Sequence, residues 1–324
     1  RSLSIYIFSK KIMSNKIDKV VVLMSTYNGQ KYIEQQIESI EQQQDVYIDL
    51  VIRDDGSTDQ TVAIINNLTK KYDNIILING GNLGYVKSFS SLVRYAYEQY
   101  ADDCMFAFVD QDDIWKEAKL KIACENIASC DQRIPLLFCS NSMLIESYCK
   151  EVCEFRPYAP TFKKGTVLYY GTVQGCSMVF NRKAVELYNS CPPVSCIHDR
   201  WMVLICTYLG EVYYSNVPLF YYRVHGENAV GSSINRSLVH RLNGKLKRFR
   251  FNKTELTRIE VSEFLKAFNK SLNDYDKSII TTYLTYKTSL KSKLKMIFSK
   301  DYGPRYNTFS RKLEFIIDLL FNRL

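Results

Sequence analysis

Long apolar runs are absent from this 324-residue chain, and none reaches the roughly 18 to 20 residues that a helix needs to cross a bilayer. Histidine is scarce, with three in all, and none of the ten cysteines forms a CxxC pair. Both shortages argue against a structural zinc site. The cysteines are scattered, several in apolar runs (Cys104, Cys139, Cys176, Cys206), which suits buried free thiols in a reducing cytosol better than a disulfide framework. Neither a GxxxxGK[ST] phosphate loop nor a GxGxxG dinucleotide fingerprint occurs. Internal repeats are also lacking. Leu3–Phe8 is apolar but short and has no small-residue cleavage pattern after it, so a secretory signal is not expected. Met13 is a candidate start, and residues 1–18 read as an N-terminal extension.

What is present is a core and an uneven charge. The composition is 46% hydrophobic and 13% aromatic, enough for one large domain with an appendage or for two. Residues 236–324 hold 20 Lys+Arg against 8 Asp+Glu, whereas the remainder holds 23 against 26. All the positive excess therefore lies in the last quarter, which marks it as a separate region.

Along residues 19–130 the apolar period alternates. Strands are predicted at Lys19–Met24, Ile48–Arg53, Ile75–Ile78 and Met105–Val109, with helices at Tyr32–Gln43, after Ser57-Thr58 and at Lys87–Tyr100. Strands apolar throughout, alternating with helices, predict a parallel sheet covered on both faces. Such sheets bind ligands at the carboxyl ends of their strands, and each predicted strand ends there in a polar signature. Residues 135–235 are less regular. Strands are expected at Leu136–Ser140, Met178–Asn181, Glu211–Ser215 and Leu219–Arg223, a loop at Gly165–Gly175 and a buried helix at Trp201–Leu209. From about Arg236 the pattern is helical: Leu238–Phe251, Glu255–Asn269, Asp276–Phe298 and Phe309–Leu324.

The richest signature is Asp110-Gln111-Asp112-Asp113. Three carboxylates in four residues repel and lose hydration when enclosed, and a hard divalent cation such as Mg²⁺ or Mn²⁺ relieves both. In isolation the same residues also suit a solvated acidic loop. A carboxylate of Asp54-Asp55-Gly56-Ser57-Thr58-Asp59 can accept hydrogen bonds from a base or ribose, although the segment equally reads as a capping turn. Ser25-Thr26-Tyr27-Asn28-Gly29 can set an aromatic ring beside a base. Asn82-Leu83-Gly84 with Lys87 offers N–H groups and an ammonium to a phosphate. His198-Asp199-Arg200-Trp201 places a carboxylate between an imidazole and a cation, which suits a general base or an exposed turn. In Tyr222-Arg223-Val224-His225-Gly226, Arg223 or His225 is a candidate for facing a diphosphate or a metal.

Together with Gly175-Cys176-Ser177-Met178, these ordered motifs resemble family 2 glycosyltransferases of the GT-A fold, in particular a rhamnosyltransferase-like branch, over about residues 19–232. The resemblance implies a mixed α/β GT-A catalytic domain at 19–235 with a mostly parallel central sheet. Its nucleotide-sugar half would be 19–130, its acceptor half 131–235, and a basic helical region would follow at 236–324. It implies a nucleotide-diphospho-sugar donor, with dTDP-rhamnose favoured over a UDP-sugar, and a saccharide or lipid-linked acceptor for cell-surface polysaccharide. Ser25, Tyr27, Asp55, Asn82, Gly84, Lys87 and Asp110 would bind the donor. Asp112 and Asp110, with His225, would hold Mg²⁺ or Mn²⁺. Asp199 would be the base of an inverting transfer, and Gly175, His198 and Trp201 would lie on the acceptor side. The branch usually carries Pro where this chain has Glu117.

Two rivals are weaker. A nucleotidyltransferase would carry a Gly-rich basic loop after the first strand, and Ser25–Gly29 is not one. A nucleotide-binding signalling module would fit in fewer residues than these motifs span. In the tail, Leu290, Leu294, Ile297 and Phe298 lie among lysines, and Phe309, Leu313, Ile316, Ile317 and Leu320 lie near Arg311 and Lys312. Such basic amphipathic helices either meet an anionic membrane surface or pack on the catalytic domain. Nucleic acid is not an expected partner, and a cytoplasmic location, peripheral at the inner face of the plasma membrane, follows from the donor and acceptor.

Overall fold

Strand β1 (Lys19–Thr26) sits at the middle of a parallel group, between β2 (Tyr47–Asp54) and β4 (Cys104–Val109), with β3 (Ile75–Asn79) outside β2. The computed structural model describes residues 19–100, 104–146, 149–171, 173–224, 252–304, 306 and 308–324. Both faces of β1, β2 and β4 are buried. Val21, Leu23, Val51, Phe106 and Phe108 pack in one core, while Val20, Val22, Met24, Leu50, Ile52, Met105, Ala107 and Val109 pack in the other. Double burial explains why the strands are apolar at every position instead of every second one. Helices α1 (Ile33–Glu41), α2 (Thr61–Leu68) and α4 (Lys119–Ile127) cover the second face. The first is covered by α3 (Tyr85–Gln99), α5 (Arg182–Ser190) and α6 (His198–Leu209).

Beyond β4 the sheet becomes mixed, running on through β8 (Val179–Asn181), β6 (Leu136–Glu146), β9 (Glu211–Val224) and β5 (Ile114–Trp115). Here β8 is antiparallel to both β4 and β6, β9 runs parallel to β6, and β7 (Glu151–Glu154) pairs with β6 off the main path. The two strands expected at 211–215 and 219–223 are one strand. Its register against β6 shifts between the Ser140↔Ser215 and Asn141↔Pro218 pairs, so an irregularity ahead of Pro218 absorbs the residue that lacks an N–H. The helix expected at 276–298 is two, α8 (Asp274–Thr285) and α9 (Leu290–Phe298), because the Ser289 side chain accepts from Ser292 N and starts a new helix. The first predicted tail helix, Leu238–Phe251, lies outside the described residues.

The described part of the C-terminal region packs onto the core shared by the sheet and α6. Helix α7 (Asn252–Phe268) sends Val261, Phe264 and Phe268 into the core that holds Trp201 and Tyr208, and α8 adds Ile279, Ile280 and Tyr283. Trp201 meets Phe264 edge-on at 5.6 Å between ring centroids, and Tyr169 stacks on Phe315 of α10 (Phe309–Leu320) at 5.8 Å. All ten cysteines are free and six are buried. Among the described residues, no helix is long and apolar enough to cross a membrane.

If this core is continuous, Phe264→Ala should cost about 3–5 kcal/mol and lower the main unfolding transition. Thermal and urea unfolding followed by near-UV circular dichroism checks this, and an unmoved main transition would mean that the tail folds separately.

Candidate active site

The parallel registers bring the ends of β1, β2, β3 and β4 to one edge. At that edge Asp55, almost fully buried, is a clamp between two loops. Its carboxylate accepts from Leu83 N and Gly84 N, each at 2.9 Å, and pairs with Arg53. Arg53 in turn donates to Ser88 Oγ at 3.0 Å and to Gly81 O at 3.0 Å. Ser25 Oγ lies 2.6 Å from Ser88 Oγ, so Ser25, Asp55 and the Asn82–Gly84 loop form one hydrogen-bonded unit. Gly56 sits at φ +84°, where a Cβ would stand 3.2 Å from Asn82 N, so this turn needs glycine. Asp54 makes the turn itself, accepting from Gly56 N and Ser57 N. Asn82 Oδ1 accepts from Gly84 N at 3.2 Å. Lys87 is exposed and lines a groove of about 540 Å³ beside Arg94 and Tyr97.

Gln111, to which the sequence reading gave no role, joins the acidic turn to the end of β1. Its Oε1 accepts from Thr26 Oγ1 at 2.6 Å and Tyr27 N at 2.9 Å, and its Nε2 donates to Tyr27 O at 3.2 Å. The Tyr27 ring is left 46% exposed at the mouth of the edge, where a base can stack on it.

Ligand atoms of Asp110, Asp113 and Cys176 lie within 4.8 Å of one another. The sequence reading paired Asp110 with Asp112 and His225. His225 lies outside the described residues, and Asp112 is not in this close group, although its charge acts on both neighbours. Burial, then the Asp112 and Asp199 charges, push the Asp110 carboxyl up. Burial, then Asp112 and Asp110, push Asp113 well up. Asp113 Oδ1 accepts from Arg223 N at 3.1 Å, whereas its buried Oδ2 has no partner. Burial also holds the Cys176 thiol protonated, so it is a poor third ligand for a hard cation. Crowded carboxylates with an orphaned oxygen do fit Mg²⁺ or Mn²⁺. Arg223, read above as a candidate for facing a diphosphate, is instead buried. It donates to Asp112 O at 2.8 Å and Gln35 Oε1 at 2.8 Å and lies over the Tyr32 ring, so it fixes the acidic turn from behind.

Across this cluster stands Asp199, in the first turn of α6, where the helix dipole favours a carboxylate. Burial outweighs its bond from Arg200 N and pushes the carboxyl up to about 6. His198 is buried and stacked on Phe89 at 3.7 Å, with both ring nitrogens unpartnered. Burial holds it down to about 3, so it is neutral. Gly175 is where these two residues need space: a Cβ there would sit 2.6 Å from His198 Nε2 and 3.5 Å from Asp199 Cβ. Trp201 does not stand beside them. Its ring is fully buried against Phe264, and its Nε1 donates to Cys191 O at 2.9 Å, so it anchors α7 and offers no surface to an acceptor. Arg200 pairs with Glu260 of α7 at 2.7 Å and donates to Leu168 O at 2.6 Å, a link that the sequence did not announce.

The chain is similar to known proteins in sequence and in fold. Residues 21–132 match the model of glycosyl transferase family 2. The chain is 29% identical over 251 residues to the dTDP-rhamnosyl transferase RfbG of Shigella flexneri, covering 73% of this chain and 83% of that one. It is 27% identical over 228 residues to an uncharacterized glycosyltransferase of Nostoc sp., covering 65% and 66%. Its fold resembles that of S. aureus TarS 1-349 in complex with UDP-GlcNAc, with TM-score 0.55 and 17% identity over 94% of this chain and 80% of that one. The chain therefore carries a family 2 glycosyltransferase domain in a GT-A-like α/β fold, and it is a glycosyltransferase.

Gly175→Ala should push His198 and Asp199 apart, costing about 1–3 kcal/mol of stability and a larger share of turnover. Asp55→Asn cannot serve the same donors and should release the 82–84 loop, weakening donor affinity about tenfold. Unfolding curves and donor titration by calorimetry check both.

Proposed function

We propose that this glycosyltransferase transfers a sugar, with inversion, from a nucleoside-diphosphate donor to a saccharide or lipid-linked acceptor, with Asp199 as general base. The observation that carries the reading is the placement of Asp199. It lies 89 residues beyond Asp110 in the sequence, yet the two are close enough for the Asp199 charge to raise the Asp110 carboxyl. One carboxylate beside a cluster of others suits two roles, proton transfer and the holding of a charged leaving group.

In this reading Tyr27 stacks on the base, while Ser25, Asp55 and the Asn82–Gly84 loop shape the nucleoside pocket, with Lys87 at its rim. Asp199 accepts the proton of the acceptor hydroxyl as that oxygen attacks the anomeric carbon. The bond to the diphosphate breaks on the opposite face, and the nucleoside diphosphate leaves. Asp110 and Asp112 would hold Mg²⁺ or Mn²⁺, which when bound supplies counter-charge to the diphosphate. Neutral His198, its ring nitrogens buried against Gly175 and its face on Phe89, would form the acceptor-side wall beside Asp199. dTDP-L-rhamnose is the favoured donor, supported by the identity to a dTDP-rhamnosyl transferase. The setting is cell-surface polysaccharide synthesis on the cytoplasmic side, where activated sugars meet membrane-linked acceptors.

Asp199→Asn should lower kcat about 10² to 10⁴-fold while leaving donor affinity near wild type. Retention of substantial transfer would remove Asp199 from the role of base. Asp199 acts as a carboxylate, and its carboxyl lies near 6. Transfer should therefore fall as pH drops through about 6 and level off above it, a profile that Asp199→Asn should flatten. Chelation should stop release of dTDP from dTDP-L-rhamnose, and Mn²⁺ or Mg²⁺ should restore it. Activity unchanged by chelator would exclude the metal role, and turnover of UDP-sugars in preference to dTDP-L-rhamnose would reassign the donor.

A further inference from the structure

Helices α9 and α10 are each buried along one side and bare along the other. Met296 of α9 and Phe315 and Leu319 of α10 enter the core. At helical spacing on the remaining faces stand Leu290, Leu294 and Phe298 of α9, and Phe309, Leu313, Ile317 and Leu320 of α10. Leu290 is 70% exposed, Phe298 82% and Phe309 85%. Side chains bared to this degree project from the surface instead of lining a groove. The two helices are neighbours, since Lys293 Nζ donates to Leu320 O at 3.2 Å. Lys293 also flanks the bare face of α9, so that contact sets the edge of one apolar face against the end of the other.

The surroundings are cationic. From 287 to 300 there are five lysines and no acid. Lys291, Lys295 and Lys300 are exposed, as are Arg311 and Lys312 on α10. Glu314 is paired with Arg311 and Glu255 with Lys287. The patch therefore couples projecting apolar side chains to lysines whose long stems can lie along an interface while their heads stay in water.

We infer that the α9–α10 face docks this enzyme on an anionic lipid surface, its apolar side chains entering the headgroup–acyl boundary and its lysines meeting lipid phosphates. Charge complementarity selects this occupant over a second copy of the chain, which would set the exposed Lys291, Lys295, Lys300 and Lys312 against their own copies. The inference goes beyond the proposed reaction, and vesicle binding needs no catalysis, so either can fail without the other.

Full-length protein floated with phosphatidylcholine vesicles, with and without phosphatidylglycerol, tests it. Binding should require the anionic lipid and weaken as salt rises. The triple variant Leu294→Ser, Phe298→Ser, Phe309→Ser should bind about tenfold or more weakly while keeping its thermal midpoint and its turnover of soluble donor. Lys291→Glu with Lys300→Glu should reduce the preference for anionic lipid. Three results would each overturn the inference: no binding of wild type to anionic vesicles, binding unchanged in the triple variant, or a dimer that the triple variant dissolves.

Discussion

Enclosure of carboxylates beside one another is the constraint on which this candidate active site depends. Asp110, Asp112, Asp113 and Asp199 converge. Burial, then the charge of neighbouring carboxylates, raises Asp110 and Asp113 above the ordinary carboxylate range, and burial raises Asp199. Left alone, such a cluster would push the β4 turn outward. It is held by groups that carry no chemistry. Arg223 grips the turn through Asp112 O and Asp113, and Gln111 ties it to β1. The sheet supplies the rigid base, since β4 is buried at every residue. Strain at the edge is thus borne by hydrogen bonds anchored in β1, β9 and α1.

The C-terminal helices belong to this support. Trp201 and Arg200 follow Asp199 on α6, and both are engaged by α7, one through Phe264 and the other through Glu260. The position of Asp199 relative to the cluster therefore depends on residues outside the 21–132 family match. A base is useful only if its distance to the reacting centre is fixed. The tail provides that fixity by closing the core behind the helix that carries the proposed base, and the same region turns its other side outward as a basic, apolar surface.

The nucleotide half was legible because its signals are local. Continuous apolar strands, capped helices and polar turns specify a parallel sheet and its ligand edge without knowledge of distant partners. Asp110 was found in this way, whereas Gly175, His198 and the base role of Asp199 came from the family resemblance, and the four do gather. What escaped was long-range. Arg223 looked like a substrate ligand because nothing nearby shows that Gln35, 188 positions away, takes its guanidinium. Trp201 looked like an acceptor contact because Phe264 is far along the chain. Asp55 looked like a free acceptor, although two backbone amides of the 82–84 loop occupy it. In each case a polar or aromatic residue beside a motif has a partner that no spacing rule reveals.

These occupied arginines bear on how a diphosphate is received. Arg53 is committed to Asp55 and Gly81, Arg223 to the acidic turn, and Arg200 to Glu260 and Leu168. Lys119 lies beneath the same turn, fully buried over the Trp115 ring at 3.6 Å, where burial pushes it down to about 7. It is a weak source of positive charge for a substrate outside. A leaving diphosphate needs counter-charge at the moment its bond breaks. In an edge lined by carboxylates, whose neighbouring arginines already serve the protein, a divalent cation held by Asp110 and Asp112 would answer both demands. It would lower the cost of the carboxylate cluster and would offer the phosphates the charge that the arginines have spent on structure.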